Sequence, residues 1–152
     1  MTARIRPVAP ADLPALAGMV AALAAHHGEV AEATPDALGR HLFAPQAAAW
    51  LAVLLAEEDG GPLGYAVLFR FFPVQTGETS VILEHLYVAP AVRGRGIGRA
   101  LLQAAAEQGR AWGCADLRVA ARTDNAAAQR FYERQGLQGR PRSGIAYRMP
   151  LG

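Results

Sequence analysis

Apolar positions along this chain change period several times, and each change marks an element. Leu13, Leu16, Ala17, Val20, Leu23 and Ala24 recur at three- and four-residue spacing, which predicts a helix. Ala9-Pro10-Ala11-Asp12 opens it and His26-His27-Gly28 closes it. Thr34 before Pro35 predicts an N-cap with proline in the first helical position, and a second short helix to about Phe43. Strand-like runs fall at Arg4–Val8, Ala49–Glu57, Leu63–Phe72 and Thr79–Val88. Glu58–Pro62 and Pro73–Gly77 have the composition of turns between them. From Ile97 the helical period returns, with Ile97, Ala100, Leu101, Ala104 and Ala105 on one face to about Trp112, and Gly113 ends it. Asp116–Ala121 reads as the next strand. Asp124 or Asn125 caps a helix to about Gln135 that Gly136 ends, and Ile145–Met149 is a last strand candidate.

These elements predict an α/β fold, and the chain's 152 residues suit one domain over 1–152. It is 52% hydrophobic and 18% charged, which places it among globular rather than disordered chains. No apolar stretch of about 18 residues lacks a charge or a turn former, so no membrane span is expected. Met1–Arg6 has no apolar run of a signal peptide, and the single cysteine, Cys114, forms no internal disulfide. A cytoplasmic protein with a buried structural thiol is the expectation.

Charge is divided unevenly. Through residue 90 there are four arginines against nine acids, and after it eleven arginines against four acids, with no lysine anywhere. One half suits a polyanion and the other a cation. The sharpest local feature lies in the basic half. Residues 93–98 read Arg-Gly-Arg-Gly-Ile-Gly, between a strand and a helix. Glycines let backbone approach a ligand closely, and the unbonded N–H groups of a helix start favour an anion. Without lysine the P-loop pattern fails. The G-x-G-x-G spacing also departs from the dinucleotide fingerprint, although Asp116 lies near the position of its ribose-binding acid. A glycine-rich turn with no ligand is the plain alternative.

The R-x-x-G-x-G pattern of Arg93, Gly96 and Gly98 resembles the pyrophosphate loop of the GCN5-related N-acetyltransferases. Ile5-Arg6-Pro7 with Ala11-Asp12, and Asn125 followed by Phe131-Tyr132 and Gly136, extend the likeness over nearly the whole chain. Gly64-Tyr65-Ala66 and Leu83-Glu84-His85 are most similar to the diamine (spermidine/spermine) acetyltransferase branch. The resemblance implies a mixed, mainly antiparallel central sheet flanked by helices, with acetyl-coenzyme A as cosubstrate in a gap where the sheet splits, and no metal. It implies phosphate contacts from Arg93, Gly94, Arg95, Gly96, Ile97, Gly98 and Arg99. Backbone groups of Leu86, Tyr87 and Val88 would hold the pantetheine arm, and a backbone N–H near Leu86 would polarise the acetyl carbonyl. It implies a small-molecule amine as acceptor and, by analogy, a homodimer, with neither nucleic acid nor membrane as partner. A peptide or protein N-acetyltransferase and a non-catalytic acyl-coenzyme A sensor are the alternatives.

Glu84 stands in an otherwise apolar strand, where a carboxylate is costly to bury unless paired or hydrated. Such a group can bind an ammonium and take its proton, and the resemblance implies that role; a structural pair with an arginine or His85 is the competing reading. Strict alternation would send His85 to the face opposite Glu84. Tyr132 is the implied general acid, although Phe131-Tyr132 also reads as an aromatic anchor. Asn125 is implied to touch the pantetheine arm, and it also suffices as an N-cap. His26 and His27, with Glu29 and Glu32 close behind, occupy the place of an aromatic–acid pair in the diamine branch and are candidates to hold the acceptor. Two adjacent histidines with no further Cys/His cluster make a poor metal site.

Overall fold

The computed structural model describes residues 3–152; Met1 and Thr2 of the N-terminal segment lie outside the described residues. The backbone forms two compact units, one ending at Ala120 and the other Ala121–Gly152. In the first, β1 (Arg4–Pro7) leads through a turn at Pro10–Asp12 into α1 (Leu13–His26) and α2 (Pro35–Leu42). The hairpin β2 (Leu51–Glu58) and β3 (Gly61–Phe71) follows, then β4 (Ser80–Val88), α3 (Ile97–Ala111) and β5 (Asp116–Val119). The second unit holds α4 (Ala126–Arg134).

Local chemistry accounts for the element ends. The Thr34 hydroxyl accepts from Ala37 N–H at 3.1 Å and starts α2. Asp12 accepts from Ala9 N–H at 2.7 Å and is held bidentately by Arg6, whose other donors reach Glu57 on β2 at 2.8 Å. That cluster ties the start of α1 to the sheet.

The five strands lie in the order β1-β2-β3-β4-β5; the first four are antiparallel and β5 joins β4 in parallel. Tyr65, Tyr87, Val53 and Leu55 pack on one face with Leu16 of α1, and Leu38 and Leu42 of α2 lie against them. Val81 faces α3, where Gly109 lies against it, and Leu101 and Ala105 of that helix are fully buried. At Gly64 the strands close so tightly that a Cβ would overlap the Tyr87 carbonyl.

Two irregularities matter for function. Val67 pairs with His85 and Leu68 with Leu83, so Glu84 is an extra residue, a β-bulge. And β4 pairs with β5 only over Ser80–Leu83; from His85 to Val88 it pairs, among the described residues, with β3 alone.

The expectation at Ile145–Met149 is corrected: this segment has no regular structure, and Ile145, Tyr147 and Met149 are 77 to 89% exposed. Apolar alternation alone does not make a strand. The ladder needs a neighbour to take its N–H and C=O groups, and no described residue fills that place. Cys114 is half-buried rather than buried, with its N–H bonded to Gly109 O at 2.8 Å. No described helix is long and apolar enough to cross a membrane.

Candidate active site

The glycine-rich segment connects β4 to α3. Gly94 and Gly96 take φ of +81° and +84°, left-handed values that side chains rarely adopt, and Gly96 is the N-cap of α3. The first bond of the helix runs from Ala100 N–H to Gly96 O at 3.0 Å. The N–H groups of Ile97, Gly98 and Arg99 precede it and have no acceptor within the helix, at its positive end. The loop therefore presents backbone donors from which an anion could accept hydrogen bonds.

Its arginines are partly committed. Arg93 Nε donates to Val88 O at 2.9 Å, which fastens the loop to the end of β4. Arg95 pairs with Glu58 at the end of β2. Arg99 is exposed in the first turn of α3. The backbone of Leu86, Tyr87 and Val88 lies on the part of β4 that has left β5, so this edge runs straight into the glycine loop.

Glu84 lies within β4, as expected, and is exposed there, so its carboxylate is hydrated rather than buried. The bulge is the cause: it takes the residue out of the ladder and leaves it beside water. The same bulge corrects the expected opposition of Glu84 and His85. Both stand opposite Val67, and His85 is brought to the α1 side, where Nδ1 lies 3.0 Å from the hydroxyl of fully buried Tyr65. Burial pushes the His85 imidazole below its usual pKa; the nearby Glu84 carboxylate opposes this and His27 adds to it. Burial also raises the Tyr65 phenol well above its usual value. Tyr65 thus joins the candidate site, although in the sequence it stands out only within the stretch similar to the diamine branch. Its register opposite Tyr87 and the bulge beside it are invisible before the strands pair.

At the end of α1, His26 is exposed and His27 half-buried, with ring centroids 5.5 Å apart. His27 comes close enough to His85 to affect its charge, while Glu29 and Glu32 are exposed in the following loop. Among the described residues no group of three or more His, Cys, Asp or Glu could hold a metal ion.

Tyr132 and Asn125 belong to the second unit. Asn125 Oδ1 accepts from Ala128 N–H at 3.1 Å and caps α4. Tyr132 is half-buried against Phe131, with ring centroids 5.3 Å apart, and burial pushes its phenol up to about 12.

Comparison with known proteins gives the family. The thialysine N-epsilon-acetyltransferase of Mus musculus is 34% identical over 76 residues, covering 50% of this chain and 44% of that protein. The aminoglycoside N(6')-acetyltransferase type 1 of Stenotrophomonas maltophilia is 36% identical over 104 residues, 66% of this chain and 67% of that protein. The chain spans about half the length of most of the curated relatives it matches. An integron cassette protein from the mobile metagenome of V. cholerae superposes with a TM-score of 0.76 over 99% of this chain and 93% of its own, at 24% identity, a likeness of fold. The family pattern described as "Acetyltransferase (GNAT) family" matches residues 17–137 and runs through the glycine loop, the bulged strand and α4, so the chain belongs to the GNAT acetyltransferases.

Proposed function

We propose that this chain is an N-acetyltransferase that moves an acetyl group from acetyl-coenzyme A directly to a primary amine of a small molecule, a diamine, polyamine or amino-acid-like amine. The observation that carries the reading is the course of β4. It leaves β5 at Leu83, bulges at Glu84, offers at Leu86–Val88 an edge that no strand pairs among the described residues, and ends in a glycine loop whose helix-start N–H groups have no acceptor within the helix. That sequence of groups fits a ligand with an amide-bearing arm and a pyrophosphate.

Acetyl-coenzyme A supplies the acetyl group as a thioester. Glu84, exposed on the bulge, binds the acceptor ammonium and takes its proton, directly or through water. The free amine then forms the C–N bond as the C–S bond breaks. Backbone N–H near Leu86 steadies the developing oxyanion. Tyr132, a phenol protonated at neutral pH, gives its proton to the leaving sulfur and regains one, through water, from the nitrogen that becomes the amide. His26, His27 and Glu29 line the approach of the acceptor. Cys114 takes no part, since no base pairs with it among the described residues. The family match crosses both compact units, and we read them as one catalytic domain. The names of the two relatives, acting on thialysine and on aminoglycosides, agree with an amine-bearing small molecule.

The test is thiol release from acetyl-coenzyme A against a panel of diamines, polyamines, amino acids, aminoglycosides and short peptides. Turnover with small amines is expected. Glu84→Gln should lose about 100-fold or more near neutral pH and less at high pH, where the amine sheds its proton unaided. Full activity of this variant at every pH would remove Glu84 as the base. Tight cofactor binding without turnover would make the chain an acyl-coenzyme A sensor.

A further inference from the structure

The Tyr65–His85 pair has a direction that fixes what the site can offer an acceptor. Tyr65 is fully buried, and among the described residues its hydroxyl has one hydrogen-bond partner, His85 Nδ1 at 3.0 Å. A buried phenol must place its proton somewhere, and Nδ1 is the place it has. Nδ1 therefore accepts, and the ring proton of the neutral imidazole sits on Nε2. Burial favours both halves of this arrangement, since it keeps the phenol protonated and the imidazole uncharged. Nε2 points away from Tyr65. Among the described residues no buried side-chain polar atom lacks a partner and none bonds Nε2, which is therefore not fully buried. It lies beside Glu84, on the bulge they share, and within electrostatic range of His27.

His85 is thus a fixed donor standing next to the base rather than a second base. We propose that His85 orients the acceptor, its Nε2–H donating to a hydroxyl, carbonyl or carboxylate oxygen carried near the reacting amine. The acceptor class is then an amino alcohol or an amino acid, and not an alkyl diamine. A second ammonium carries only donors and would meet a donor there. The inference rests on the acetyl-transfer reading and narrows its substrate.

Two measurements test it. Nitrogen-15 NMR of the imidazole reports which ring nitrogen carries the proton, and requires no turnover. The expected state of His85 is the neutral Nε2–H tautomer, lost or mixed in Tyr65→Phe, which keeps the ring in the core. The second readout is the ratio of kcat/KM for 3-amino-1-propanol to that for 1,3-diaminopropane. The wild type should favour the amino alcohol by about three- to tenfold, the range of one neutral hydrogen bond. His85→Leu should erase the preference, and His85→Gln, which retains an N–H donor, should keep part of it. A proton on Nδ1, a preference for the diamine, or an unchanged ratio in His85→Leu would each overturn the proposal while leaving acetyl transfer intact. Absence of turnover with every amine would instead bring down the acetyl-transfer reading, and this one with it.

Discussion

Replacing Arg6 by Leu should destabilise the protein in a way that vanishes in acid. Arg6 makes paired bonds to Asp12 at 2.7 and 2.8 Å and to Glu57 at 2.8 Å, joining the start of α1 to β1 and β2. The guanidinium holds the Asp12 carboxyl at about 2, against an ordinary 3.8, and holds Glu57 low as well. At about 1.36 kcal/mol per unit the Asp12 shift corresponds to at most roughly 2.4 kcal/mol. The side chains of Arg6 and Asp12 are 22% and 12% exposed, and water around them reduces this to about 1–2 kcal/mol. For a chain of this length that is a loss of about 3–8 °C in Tm at pH 7. Because the folded-state pKa lies below the unfolded one, the stabilisation is complete above about pH 4–5 and fades as pH falls through 2. Thermal melts of both proteins from pH 7 down to pH 2 should therefore converge. A gap that stays constant across this range would mean that the aliphatic stem of Arg6, by packing, supplies the stability and the charges do not.

Three further outcomes follow from the site. Gly96→Ala forces a side chain into φ of +84° at the N-cap of α3; it should weaken acetyl-coenzyme A binding by about fivefold or more, the equivalent of about 1–2 kcal/mol, and unchanged affinity in calorimetry would remove this turn from the phosphate site. Tyr132→Phe should lower kcat by about tenfold or more with the affinity for acetyl-coenzyme A kept; loss of affinity alone would make Tyr132 a packing residue. Gly64→Ala sets a Cβ against the Tyr87 carbonyl and should push β3 from β4, costing about 1–3 kcal/mol in denaturant melts, and a neutral result would mean that the strands can separate there without loss.

What the chain announces locally, it announces well. The Thr34 cap, the Asn125 cap, the glycine-rich start of α3 and the β2–β3 hairpin depend on residues within a few positions of one another, and all stand where pattern and turn chemistry predict. The errors share another origin. Whether Glu84 and His85 oppose each other depends on a bulge, and a bulge is a property of two strands in register. The pairing of Arg95 with Glu58, 37 residues earlier, is likewise invisible to local pattern, although it leaves the phosphate role of Arg95 open to test. Ile145–Met149 has the alternation of a strand and lacks the neighbour that a ladder requires.

The bulge also explains how the proposed base and the proposed backbone site come to lie on one strand. A strand with unbroken alternation would send Glu84 and His85 to opposite faces, one of them toward α3 and away from Tyr65. One inserted residue puts both opposite Val67, at the point where β4 parts from β5. The residues beyond it keep their bonds to β3 on one side while their other edge is left open toward the glycine loop. Under the proposed function, position therefore matters more than side-chain identity at Leu86 and Val88, whose proposed role is through the main chain. At Glu84 and His85 the opposite holds: the bulge takes Glu84 out of the ladder and leaves its carboxylate in water, while His85, still paired with Val67, carries an imidazole whose inner nitrogen is already taken.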